Sequence, residues 1–265
     1  MKITWRLLVV VLFSSWSAAS EATPQIKLQT RERTQVFTLQ DLQAKLPISS
    51  MEVEDPVYKT KKTYEGFLLA DIFRLMGDSP GDEISFHCRD GYSPVVSISM
   101  AKEKKGLLAI REKGVPGGWT KFRQGKTWMT PAPFYVVWNT SNELFPWPYQ
   151  VVGIEVVQFS QKFDRIFPTG EPKNGAIFRG FETFKNDCLR CHSLNLQGGD
   201  LGPELNIPRN ITEYRDDKIL TLFIRDPSSF RARSKMPSFQ QLKDEQIQEI
   251  LEYFRWIKGH KKDPS

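Results

Sequence analysis

The sequence predicts a two-domain protein, an N-terminal α+β part built on a mixed sheet followed by an all-α part. Three observations carry this. Short β-branched and aromatic runs, separated by turn residues, fill residues 24–165 in the manner of half-buried strands. Two stripes of apolar residues at helical spacing, one after Asn174 and one ending near Gly259, bracket the last third of the chain. Between the parts, Phe167-Pro168-Thr169-Gly170-Glu171-Pro172 has the punctuation of a linker, placed at 166–172. The domains are therefore drawn at 24–165 and 173–260. With 265 residues, 40% of them apolar, each part can bury a core of its own.

In the first part, Val36 to Leu39 reads as extended, and Leu39 to Leu46 as a short amphipathic helix stopped by Pro47. Tyr58 to Tyr64 alternates and is basic, which suggests an edge strand guarded by lysines. Leu68, Leu69, Ile72, Phe73, Leu75 and Met76 form a helical stripe that Gly77 ends. Glu83 to Cys88 and Val95 to Ile98 are strands joined by the turn Arg89-Asp90-Gly91-Tyr92. Gly106 to Arg111 and Phe134 to Trp138 are further strands, Gly114 to Thr130 reads as loop, and Val151 to Val157 is expected to close the sheet. His87 and Cys88, as strand neighbours, point to opposite faces and cannot easily share a metal. Cys88 reads as a small buried hydrophobe. The runs Lys59-Thr60-Lys61-Lys62 and Lys102-Glu103-Lys104-Lys105 read as solvated faces.

In the second part, Asn174 is the expected cap of a helix presenting Ile177, Gly180, Phe181, Phe184 and Cys188 on one face. A helix from about Asp216 to Arg225 ends at Asp226-Pro227. The last helix opens on Asp244 and Glu245, buries Ile247, Ile250, Leu251, Phe254 and Ile257, and stops at Lys258-Gly259.

Cys188-Leu189-Arg190-Cys191-His192 is a C-x-x-C-H run, the spacing of covalent c-type haem attachment. Two thiols three positions apart can each add to a vinyl group of one porphyrin, and the next residue brings an imidazole to the iron. A thioredoxin-like redox pair would want a strand–helix setting and leaves His192 without a task. Half of a zinc site would want a second Cys or His pair, whereas Cys88, His87 and His260 are all that remain.

Residues 172–260 closely resemble a class I c-type cytochrome domain. The matching residues are Gly180 and Phe184, then Cys188, Cys191 and His192, then Gly202-Pro203-x-Leu205, then Met236-Pro237 before the last helix. The resemblance implies one covalently attached haem c with His192 and Met236 as axial ligands. It also implies that the Pro203 carbonyl accepts a hydrogen bond from His192 and orients it. Such six-coordinate iron passes electrons, and its thioether ligand favours a raised potential. Residues 64–73, Cys88-Arg89-Asp90-Gly91-Tyr92 and Pro133 to Trp138 are similar to part of the molybdopterin-binding domain of sulfite-oxidase-like proteins. That family holds its metal through a cysteine upstream of the Asp-Gly-Tyr segment, and no cysteine precedes Cys88 here. A sulfite-oxidase-like fragment without molybdopterin is therefore expected, used for packing or docking.

The expected function is that of an exported, one-haem electron carrier rather than an enzyme. Its partner would be a redox protein, a molybdenum enzyme or another cytochrome. The competing readings are a molybdenum-dependent oxidoreductase of a small oxyanion that feeds the haem, and a haem sensor or peroxidase. Lys2 and Arg6, the apolar run Leu7 to Phe13 and the small residues Ser14 to Ser20 have the layout of an export signal over residues 1–20, cleaved near Ala19 to Ala22. The run is too short to span a bilayer, so a periplasmic protein with no stable membrane span is expected. A formal charge of +6, from 37 basic and 31 acidic residues, does not suggest nucleic-acid binding. Arg225, Arg231, Arg233 and Lys235 form either a solvated loop or a basic rim that steers an acidic redox partner. One of them, or Arg209, could instead pair with a haem propionate.

Overall fold

The computed structural model describes residues 23–77, 81–124, 126–140 and 145–263. The expected export signal lies outside them. Among the described residues no helix is long and apolar enough to cross a membrane.

The N-terminal lobe is mixed α/β. Strands β1 (Gln25–Gln29) and β2 (Thr34–Thr38) form a hairpin that runs into helix α1 (Leu39–Lys45). Thr38 caps that helix with a reciprocal box, its hydroxyl taking the Asp41 N–H while Asp41 takes the Thr38 N–H. Strands β3 (Ser49–Asp55) and β4 (Thr60–Leu68) follow, then helix α2 (Leu69–Met76), which ends at Gly77 with φ 81°. Next come β5 (Glu83–Cys88), β6 (Val95–Ser97), α3 (Ile98–Glu103), β7 (Leu107–Glu112), β8 (Phe122–Gln124), β9 (Thr127–Met129), β10 (Tyr135–Val137) and β11 (Val151–Val157). The long strands make two sheets, ordered β2-β1-β11-β5-β6 and β10-β7-β4-β3. They share one core, in which Tyr64, Phe67, Phe86, Phe134, Tyr135 and Trp138 are fully buried.

Four expectations are corrected here. β4 is not an edge strand, because β3 and β7 flank it. Its Lys62 is not solvated; Nζ sits 2.6 Å from Glu112 Oε1 on β7, with both side chains nearly buried. β11 does not close a sheet but lies inside one, parallel to β1 and antiparallel to β5. The stretch expected as loop contains the β8–β9 hairpin. Alternation reports which face a side chain takes, and charge reports its sign. Neither reports which strand lies alongside.

The C-terminal lobe is all-α apart from one short hairpin. Helices α4 (Phe159–Lys162) and α5 (Ala176–Asp187) come first, then the hairpin β12 (Ser193–Leu194) and β13 (Gln197–Gly198). A 3₁₀ turn (Ile211–Glu213), α6 (Asp217–Arg225), α7 (Pro227–Phe230) and α8 (Asp244–Lys258) complete it. The cap of α5 is Gly175 rather than Asn174, whose carbonyl instead accepts from Arg179. Helices α5 and α8 cross at Gly180, where a Cβ would stand 1.9 Å from the Glu249 carbonyl oxygen. Only a glycine lets the two backbones approach so closely. Phe181, Phe184, Tyr253 and Phe254 pack around the crossing, each fully buried ring worth about 1.5–3 kcal/mol. Phe159, Phe163 and Ile166 join this second core, and Tyr253 donates its hydroxyl hydrogen to the Ile166 carbonyl at 2.7 Å.

Candidate functional site

Helix α5 delivers the C-x-x-C-H run at its C-terminal end. Cys188 is the C-cap and donates its N–H to Phe184 O at 2.8 Å. The chain then tightens, with Cys191 N and His192 N both donating to Cys188 O at 3.0 Å. One turn thus carries both half-buried thiols and the imidazole. Neither thiol is in a disulfide. Burial pushes the Cys188 thiol up to about 12 and the Cys191 thiol up to about 11. Both stay protonated at neutral pH, which does not suit a thiol–disulfide exchanger.

His192 is held from two sides. Its Nδ1 lies 2.8 Å from the Pro203 carbonyl oxygen and donates to it, which leaves Nε2 as the nitrogen available to a metal. Gly202 lies against the ring, where a Cβ would come within 2.5 Å of Cε1 and 2.7 Å of Nδ1. Any side chain there would displace the imidazole. Gly202 N also donates to Cys191 O at 2.7 Å, tying this segment to the turn. Burial pulls the imidazole below its ordinary pKa, opposed by the Pro203 bond and the Glu204 charge.

Behind this site stands a set of polar staples that sequence reasoning missed. Glu204 Oε1 accepts from the N–H groups of Asn195 (3.0 Å), Asn206 (2.8 Å) and Ile207 (3.1 Å), and Oε2 accepts from Leu196 N (3.0 Å). Asn195, Asn206 and Asn210 are fully buried and form a ladder. Asn206 Nδ2 donates to Asn195 Oδ1 at 2.7 Å, and Asn210 Nδ2 to Asn206 Oδ1 at 2.8 Å. The same amides reach the carbonyls of Phe254, Ile257 and His260 at 2.9–3.0 Å, satisfying the open end of α8. The available signal was only that three asparagines follow His192 in a segment without periodicity, which reads as loop.

Met236 lies in the loop between α7 and α8 and packs, half-buried, against the second core, as does Cys188. Its N–H donates to Ser234 Oγ at 3.2 Å. Of the basic candidates, Arg225 pairs with Asp244 at 2.5 Å and Arg209 donates to Glu213 O at 3.2 Å. Arg231, Arg233 and Lys235 are exposed.

The N-terminal lobe grips this turn through its own Asp90-Gly91-Tyr92 segment. Ser93 N donates to Arg190 O at 2.9 Å, and Asp200 N donates to Gly91 O at 3.2 Å. The Arg190 side chain bonds to Tyr92 and to Asp187. Lys185 and Glu83, both nearly buried, pair at 2.6 Å. Cys88 is buried in the first core, and its thiol is pushed well up by that burial.

Residues 175–254 match the family model of cytochrome c oxidase, cbb3-type, subunit III. The C-terminal all-α lobe is thus similar to a subunit of a cytochrome oxidase. The chain is also 27% identical over 95 residues to cytochrome c oxidase subunit 2 of Alkalihalophilus pseudofirmus. That alignment covers 33% of this chain and 28% of the relative's length. The likeness is to proteins of electron transfer.

Proposed function

We propose that the C-terminal lobe carries one covalently attached haem c and passes single electrons between redox proteins in the periplasm. The observation that supports this best is the setting of His192. The Pro203 carbonyl fixes its Nδ1, Gly202 leaves room for the ring, and two unpaired cysteines share its turn. Cys188 and Cys191 would form the thioether links, and His192 Nε2 and the Met236 thioether would hold the iron. The haem would supply a one-electron couple whose potential a thioether ligand raises. The chain's own part is to keep Nδ1 protonated by the Pro203 bond, which strengthens Nε2 as a ligand. Its second part is to hold the turn rigid through Glu204 and the asparagine ladder. Exposed Arg231, Arg233 and Lys235 would steer an acidic partner toward the Met236 loop. The N-terminal lobe, gripping the turn through Arg190, would orient the carrier against its partner.

The test is expression in a host competent for cytochrome c maturation. A haem:chain ratio of one, with haem retained under denaturing conditions, is the expected result, and a colourless mature chain overturns the reading. Met236→Ala should abolish the weak far-red absorption band of methionine–iron(III) ligation. Survival of that band would assign the ligand to another methionine.

A further inference from the structure

Where the two lobes meet, beside the turn that bears His192, lies a cleft of about 570 Å³. Its walls come from both lobes. Ser85, His87 and Ser93 belong to β5 and the segment after it, Lys162 and Arg165 to α4 and its exit, and Asp200 to the segment after β13. This volume falls in the range of small-molecule sites, roughly 300–1,000 Å³.

Two of the acceptors around the cleft, Glu155 and Gln197, are already taken, while the Asp200 carboxylate also lines it. His87 Nε2 lies 3.1 Å from Glu155 Oε2, while Lys162 Nζ and Gln29 Nε2 donate to Glu155 Oε1 at 2.8 and 3.2 Å. Burial pushes the Glu155 carboxyl up, but the His87 and Lys162 hydrogen bonds outweigh it and hold it below its ordinary range. Glu155 is therefore a fixed anion that anchors His87 and Lys162. Gln197 is also engaged, its Oε1 accepting from Arg165 N and its Nε2 donating to Lys162 O. Asp200 Oδ1 is packed where a Gly91 side chain would stand.

What remains is a surplus of donors. Arg165 Nη1 is buried and has no acceptor among the described residues. Ser93 Oγ lies 3.3 Å from His87 Nδ1 and 3.5 Å from Ser85 Oγ, so the two hydroxyls and the imidazole form a chain with a proton to offer. A buried guanidinium N–H calls for an oxygen acceptor, and an anionic one bonds it most strongly.

We infer that this cleft binds a small organic oxyanion, a carboxylate or a phosphate ester. Arg165 Nη1 would be its charged donor and the Ser85–Ser93 hydroxyl pair, with one proton to spare, its neutral one. Because both lobes supply donors, the ligand would also tie them together beside the C-x-x-C-H turn. The inference depends on the junction of the lobes and not on haem being attached.

Isothermal titration of the full chain as purified, with succinate and with inorganic phosphate as probes, tests it. Saturable 1:1 binding of either probe below about 10 mM is expected, and the tighter one identifies the carboxylate or the tetrahedral class. Arg165→Gln should weaken that binding by about ten-fold or more, and Ser93→Ala by a smaller factor. Should Arg165→Gln fail to fold, Ser93→Ala alone decides. No heat of binding for either probe, or affinities that these substitutions leave unchanged, overturns the inference.

Discussion

In the N-terminal lobe the buried backbone is satisfied by its neighbours in two sheets, β1 on β11 on β5 and β10 on β7 on β4. In the C-terminal lobe the long path from α5 to α8 has almost no ladder, and side chains take that part: Glu204 on four N–H groups, and three buried asparagines on the end of α8. Each lobe's way of satisfying its backbone follows from what it holds. Strands that satisfy one another through a ladder need fewer polar props, such as Asp55 on the N–H groups of Val57 and Tyr58. A chain that wraps a site around His192 without regular structure must meet its backbone demands one by one.

The largest effects are expected at the two places where backbones touch. A Cβ at Gly180 would stand 1.9 Å from Glu249 O, and one at Gly66 would stand 2.1 Å from Leu108 O at a register shift between β4 and β7. Gly180→Val and Gly66→Val should each cost their own lobe about 3 kcal/mol or more. Hydrogen exchange followed by mass spectrometry should show protection lost in the substituted lobe and kept in the other. A polar prop comes next. Asn206→Leu removes the middle rung, leaving Asn195 Oδ1, Ile257 O and Asn210 Nδ2 short of partners, and should cost about 2–4 kcal/mol in urea unfolding. Its counterpart in the sheet lobe is milder. Tyr64→Phe takes one donor from buried Asp55, which keeps the N–H groups of Val57 and Tyr58, so about 1 kcal/mol is expected.

These contrasts also mark what could be read from the chain. The strand at Glu83 to Cys88 and the stripes of α2, α5 and α8 are visible because periodicity is local. The approach of Pro203 to His192 is implied only by the resemblance that Gly202-Pro203-x-Leu205 bears to a c-type cytochrome segment, not by any periodicity. Long-range facts are different. That β11 lies inside its sheet, that Lys62 meets Glu112, and that Asn206 reaches Ile257 O depend on pairings that no window of sequence contains. The segment Asp90-Gly91-Tyr92 read as a turn, and it is one. Its grip on Arg190 and Asp200 appears only when the lobes are seen together.

Acid should act on the two lobes differently, with a smaller effect. At Glu112 burial raises the carboxyl, but Lys62 and Thr120 outweigh it and hold the group below 4.5. Its contribution is therefore present above that value and lost as pH falls through the lowered folded value. Glu83 at the junction has the opposite sign, because burial raises it and Lys185 only partly offsets this. Its contribution is present below 4.5 and lost as pH rises through the raised folded value. Acidifying toward pH 4 should therefore weaken the sheet lobe while the Glu83 contribution at the junction grows. Glu112→Gln should flatten the acid limb of the sheet lobe's melting temperature against pH.

The smallest effects test whether the lobes respond as separate units. Thr38 caps α1 in one lobe and Asp216 caps α6 in the other, each through a side-chain oxygen on a backbone N–H. Thr38→Ala and Asp216→Ala should each cost about 1 kcal/mol, the typical cost of losing a side-chain cap. The caps belong to separate cores, so in the double variant the two costs should add within about 0.5 kcal/mol. A larger departure, read from urea unfolding of the two single variants and the double variant, would mean that the grip on Arg190 and the Lys185–Glu83 pair couple the cores. The staples around His192 would then be supported by the sheets as well as by α8.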